Sequence, residues 1–120
     1  MSVRGKEDRS FRKSIDSYSV VGPWLVTAEE FGSPNDVSFA LLVNGEPRQA
    51  SSTKHLIFGV RKLIAWASSW YTLHPRGVIF TGTPEDVGLV ASGDTLRCTM
   101  DNIGTMDVSV RDVACRTTAV

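Results

Sequence analysis

Two cysteines, two histidines, no net charge and no long apolar run are what this chain offers, and each shortage removes a class of function. Cys98 and Cys115 lie far apart, with no CxxC spacing and no histidine beside them. That excludes a disulfide framework and a thiolate zinc site, and leaves one strand cysteine and one tail cysteine. Thirteen basic residues balance thirteen acidic ones, so the chain lacks the basic face that nucleic-acid binding asks for. No apolar stretch approaches the roughly 18–20 residues that cross a bilayer. Met1 to Asp8 contain no signal-peptide core, and the expectation is a cytoplasmic protein. Catalytic signatures are missing too: there is no G-x-S-x-G elbow, G-x-G-x-x-G, P-loop or H-E-x-x-H. His55 and His74 stand alone and read as surface or hydrogen-bonded structural residues. A serine- or cysteine-nucleophile hydrolase has no support.

What is present has a globular composition, 42% hydrophobic and 22% charged over 120 residues. Independent domains run to about 100–150 residues, so this is one domain or less. Residues 1–12 read as a basic arm, since positions 3–13 hold five basic and two acidic side chains. Tyr18 to Val26, broken by Gly22-Pro23, reads as a loop feeding a buried segment. Thr27 before Glu29 and Glu30 predicts a capped helical turn. Val37 to Val43, then Asn44-Gly45, then Glu46 to Gln49 predicts a β-hairpin, because Asn-Gly accepts the positive φ of a type I′ turn. Pro47 cannot donate to a ladder, which puts the second strand at an edge or a bulge.

The spacing of Val60, Leu63, Ile64, Ala67, Trp70 and Tyr71 predicts a helix over 58–71 with an aromatic stripe turned to the core. Val78-Ile79-Phe80 predicts a short buried strand that stops at the loop Thr81-Gly82-Thr83-Pro84. Residues 95–100 and 106–111 alternate around Asn102-Ile103-Gly104 as a second hairpin, and 113–120 read as a frayed tail. The expected class is a β-rich α+β domain with one main helix.

Two spots could carry chemistry. Lys13, just before an apolar segment, is placed to be held near the protein body, where partial desolvation makes an ammonium a strong partner for a carboxylate or enolate oxygen. The 81–84 loop offers two hydroxyls and, at Gly82, an unobstructed backbone N–H; it reads equally as an anion-binding loop or as a plain turn.

Several segments resemble the fumarylacetoacetate hydrolase family. Arg12-Lys13-Ser14-Ile15-Asp16 with Val21-Gly22-Pro23-Trp24-Leu25-Val26-Thr27 is similar to its "KSFD…LGPWLVT". Val43 to Gln49 resembles "VNGELRQ", Leu56-Ile57-Phe58 "MIF", Val78 to Pro84 "VILTGTP", and Asp101 to Thr105 the "GIGT" turn. The matches keep family order over about residues 2–112. The resemblance implies a mixed β-roll, incomplete at its N-terminus, usually found in homodimers. It implies Mg²⁺- or Mn²⁺-dependent chemistry on oxo acids: C–C hydrolysis of diketo acids, decarboxylation or isomerisation. Position by position, Lys13 matches the active-site lysine that steadies developing negative charge, and Thr83, with Gly82 beside it, matches a substrate-contacting threonine. An ammonium and a hydroxyl facing an enolate suit carbanion-forming chemistry.

The sequence departs from the family at the metal. Nothing matches its Glu-x-Glu pair, and Ser2-Val3-Arg4 resembles the end of the segment that holds its aspartate ligand. No metal-binding residue is therefore assigned, and tight Mg²⁺ or Mn²⁺ binding by the chain alone is not expected. Asp86 stands where the loop after TGTP usually has glycine, and Pro75-Arg76-Gly77 replaces "PGD". The expectation is a partial catalytic domain over 1–120 that is inactive alone, completed by a chain that supplies the missing N-terminal half or paired as a homodimer around a small oxo-acid substrate. The rival is a non-catalytic, β-rich interaction module.

Overall fold

The computed structural model describes residues 15–112. Its centre is a four-stranded antiparallel sheet in the order β2-β1-β3-β4. Strands β1 (Ser38–Val43) and β2 (Glu46–Ser52) form the hairpin expected at Asn44-Gly45. Asn44 (φ 53°) and Gly45 (φ 86°) both take the left-handed backbone that this turn needs. The Asn44 side chain then ties the turn to the neighbouring strand. Its Nδ2 donates to Asp94 Oδ1 at 2.8 Å, and its Oδ1 accepts from Thr95 N at 2.9 Å.

Pro47 lies in an edge strand and also beside a bulge. Leu41 faces Gln49 and Leu42 faces Pro47, so Arg48 is the extra residue. The second hairpin joins β3 (Thr95–Met100) to β4 (Gly104–Ser109). Its second strand begins two positions earlier than the sequence pattern suggests, because Gly104 already pairs with Met100.

Cross-strand partners share a face, and the register sorts the sheet into two. Phe39 with Met100, Leu41 with Cys98 and Met106, and Val43 with Leu96 and Val108 make the apolar face. The opposite face carries the bidentate Arg97–Asp107 pair, with both bonds at 2.7 Å, and the Thr99–Thr105 hydroxyl contact. Among the described apolar residues only Val37 (3% exposed) and Val43 are buried. Val37 is enclosed by a polar knot at the end of β2: Val37 N donates to Thr53 Oγ1 at 2.9 Å, and Thr53 Oγ1 donates to Pro34 O at 2.7 Å.

Helix α1 (Ala28–Phe31) is capped as expected, with Thr27 Oγ1 accepting from Glu30 N. Upstream of it, Trp24 Nε1 donates to Ile103 O at 2.9 Å, which pins the 15–26 segment to the β3–β4 turn. Helix α2 (Val60–Trp70) forms where its spacing places it, but its apolar stripe is not core. None of its residues is buried, and Trp70 is 72% exposed. Amphipathic spacing fixes which face is apolar; only a second layer can bury it, and the described residues provide none over this helix.

The 78–80 segment also corrects the sequence reading. It is not a strand, and Phe80 is 67% exposed. An apolar run becomes a buried strand only when a neighbouring strand takes up its ladder groups, and no described strand pairs with it. Tyr18, Trp24 and Leu25 are exposed as well, so the apolar residues of the 18–26 segment are not core. No described helix is long and apolar enough to cross a membrane. The basic arm 1–12, Lys13 and the tail 113–120 lie outside the described residues.

Candidate functional site

The loop after Phe80 is held from the side by β2. Gln49 projects onto the apolar face with its partner Leu41, and its Nε2 donates to Glu85 O at 2.7 Å, Pro84 O at 3.3 Å and Thr83 Oγ1 at 3.3 Å. Arg48, its neighbour, reaches the same loop: its Nη1 lies 3.5 Å from Leu89 O, and a Cβ at Gly88 would overlap that nitrogen. Successive strand residues ordinarily point to opposite faces. The bulge at Arg48 removes that alternation, which is how two adjacent side chains hold one loop.

Loop 81–86 closes one side of a cleft of about 880 Å³. Phe39 and Met100, at the end of the sheet's apolar face, form one wall, and Phe58 and Leu63 form another. His55, from the 3₁₀ turn Thr53–His55, also lines it. The sequence treats His55 as isolated, yet the fold brings it into the same concavity as Gly82 and Thr83. Thr83 is exposed to the cleft, and its Oγ1 accepts from Gln49, which leaves the hydroxyl hydrogen to be donated to a ligand. Gly82 has φ 108°, in the region that side chains avoid, and a Cβ there would meet nothing within 4 Å. A side chain there would be opposed by the backbone conformation and not by a neighbouring atom.

Asp86 settles the shape of the loop. It has φ 64°, the left-handed conformation that glycine adopts most easily and that aspartate also tolerates. The departure from the family's glycine thus keeps a glycine-like backbone.

Charge around the site is modest. Near the rim, a hydrogen bond from Ser52 and the Lys54 ammonium at 3.3 Å hold the Asp36 carboxyl below the usual aspartate range. Partial burial, and then the Asp107 charge, push the Cys98 thiol up, away from the thiolate form that reacts. Among the described residues no three of His, Cys, Asp and Glu gather closely enough to hold a metal ion. The described residues therefore do not fit the divalent cation that the resemblance implies.

Of the expected site residues, Gly82 and Thr83 sit together at the cleft, and Lys13 is outside the described part. Sequence reasoning missed Gln49 and Arg48. Glu46 to Gln49 reads as the second strand of a hairpin, and only the position of the bulge shows that Arg48 and Gln49 both reach across to the 83–89 loop.

Comparison with known proteins gives a consistent picture. The profile of the fumarylacetoacetate (FAA) hydrolase C-terminal family matches residues 3–111. A maleylpyruvate hydrolase of Aquipseudomonas alcaligenes is 54% identical over 113 residues, covering 94% of this chain and 39% of its own length. A 2,4-didehydro-3-deoxy-L-rhamnonate hydrolase of Sphingomonas sp. strain SKA58 is 37% identical over 108 residues, covering 83% of this chain and 38% of its own. The crystal structure of maleylpyruvate hydrolase from Sphingobium sp. SYK-6 with manganese(II) and pyruvate superposes with a TM-score of 0.83 at 42% identity. It covers 86% of this chain and 39% of that one. The chain thus spans about two fifths of the length of these relatives.

Proposed function

The chain belongs to the fumarylacetoacetate hydrolase family, and from that premise we propose that it supplies the substrate-contacting loop of a divalent-metal-dependent hydrolase acting on diketo acids of the maleylpyruvate kind. The observation that carries this reading is the 54% identity to a maleylpyruvate hydrolase across 94% of the chain. A related maleylpyruvate hydrolase holds manganese and pyruvate, and a fumarylpyruvate hydrolase from Pseudomonas aeruginosa is also found with Mn²⁺ and pyruvate.

In this reading Thr83 donates its hydroxyl hydrogen, and Gly82 its amide, to oxygens of the oxo-acid unit. Lys13 supplies an ammonium against the negative charge that develops when the C–C bond breaks and the pyruvate portion leaves as its enolate. The cation, Mg²⁺ or Mn²⁺, is held by donors that are not among the described residues. Activity then requires polypeptide equivalent to the rest of the relatives, in the same chain or in a partner, with a homodimer as the assembly. Alone, residues 1–120 are inactive.

A chimera tests the reading. The matching segment of the A. alcaligenes enzyme is replaced by residues 3–111, and maleylpyruvate hydrolysis is followed by absorbance. The chimera should turn over substrate. Lys13→Ala should lower turnover by about 10²-fold, the scale for one oxyanion donor, and Thr83→Ala by about tenfold, since a neutral hydroxyl is weaker. A folded, manganese-binding chimera that leaves maleylpyruvate intact would refute the assignment.

A further inference from the structure

We propose that Gln49 is a positioning residue for Thr83, fixing its hydroxyl as a donor towards the ligand; the inference rests on the reading of Thr83 given above. A threonine hydroxyl both donates and accepts, and rotates to suit its neighbours. Left free beside the loop carbonyls, it could spend its hydrogen on one of them. Here Gln49 competes for those carbonyls and donates to the hydroxyl oxygen itself. The two hydrogens of the Gln49 amide are shared among three acceptors, Glu85 O at 2.7 Å, Pro84 O at 3.3 Å and Thr83 Oγ1 at 3.3 Å. A carboxamide nitrogen has hydrogens and no acceptor role, so Thr83 can only accept from it. The hydroxyl hydrogen is thereby kept off the glutamine and is available to the cleft that Thr83 and Gly82 line.

The Gln49 side chain stays in place for reasons independent of any ligand. Its backbone is held in the ladder opposite Leu41. The Arg48 guanidinium against Gly88 and Leu89 keeps the far end of the loop on β2. Gln49 touches no reacting atom in this arrangement; its effect passes through Thr83.

The test uses the 120-residue chain, with pyruvate as the probe and ¹H–¹⁵N NMR as the readout. Pyruvate should shift the Gly82 and Thr83 amides, saturating in about the millimolar range expected of a few hydrogen bonds. Thr83→Ala should weaken binding about fivefold, the worth of one neutral hydrogen bond. Gln49→Met keeps length and removes the donor, and should weaken binding to a similar extent. The combined variant should bind no worse than Thr83→Ala alone, because the glutamine acts only through the hydroxyl. In the unsubstituted chain the Gln49 side-chain NH₂ resonances should move on titration, and in Thr83→Ala they should not.

Additive losses in the combined variant, or Gln49 resonances that respond equally without the hydroxyl, would overturn the role of Gln49 and leave that of Thr83 standing. If Thr83→Ala binds pyruvate unchanged, or the chain shows no shift at all, the reading of Thr83 fails and this inference with it.

Discussion

Replacing Gly104 by alanine should destabilise the chain by about 2–3 kcal/mol, the sum of a strained backbone and a weakened hydrogen bond. Gly104 opens β4 with φ 119°, and a Cβ there would sit 3.1 Å from Trp24 Cζ2. Holding a non-glycine residue in that region costs about 1–2 kcal/mol. The indole cannot simply retreat, because its Nε1 is bonded to Ile103 O at 2.9 Å. Losing that bond adds about 1 kcal/mol, and Trp24, 52% exposed, recovers part of it from water. Urea denaturation followed by circular dichroism measures the change. In a Trp24→Phe background the obstruction by the bonded indole is relieved, so the same substitution should cost only the backbone part, about 1–2 kcal/mol. An equal penalty in both backgrounds would refute the claim that Trp24 and Gly104 are coupled. A penalty under about 0.5 kcal/mol, the size of an ordinary surface change, would refute the strain argument as well.

Acid should weaken the fold. Asp36 is held down by Ser52 and Lys54, and Asp94 by the Ala91 amide and Asn44. Because both titrate lower when folded than when unfolded, their stabilisation is complete above the unfolded pKa and is lost as pH falls below about 4; urea midpoints should drop there, and less steeply in Asp94→Asn. Calorimetry on the 120-residue chain should find Mg²⁺ or Mn²⁺ binding no tighter than about millimolar, since a hard cation needs several oxygen ligands and no such cluster exists among the described residues; micromolar binding would contradict this. The exposed Trp66, Trp70, Ile57 and Phe80 should bind an apolar-surface dye and promote concentration-dependent association; a monodisperse monomer without dye binding, by ultracentrifugation and fluorescence, would count against it.

What could be read from the sequence was local. Asn44-Gly45 names its own turn type, Thr27 its own cap, and Pro47 its own disturbance of a ladder, since each effect acts within a few residues. The α2 stripe and the run 78–80 were legible as apolar segments but not in their fate. Burial needs a partner layer, and Trp70 or Phe80 carries no record of whether one is present. The residues marked the 81–84 loop as either an anion site or a plain turn, and the resemblance singled out Thr83 and Gly82 within it, whereas Gln49 and Arg48 required knowing that residues 34 to 41 positions apart meet across the loop.

The bulge at Arg48 also limits how this segment of the chain can change length. Side chains in a strand follow a parity, and the extra residue shifts that parity by one between Leu42 and Gln49. A two-residue insertion in the 44–45 turn preserves the count and leaves the glutamine aimed at the 83–85 loop. A single-residue change between Leu42 and Gln49 reverses it. The hydrophobic row on β1 would then keep its place while Gln49 turned to the opposite face, and Thr83 would lose its clamp in a sheet that otherwise folds normally. Length variation among relatives should therefore come in even steps at this hairpin, or in odd steps only alongside a rebuilt 81–89 loop.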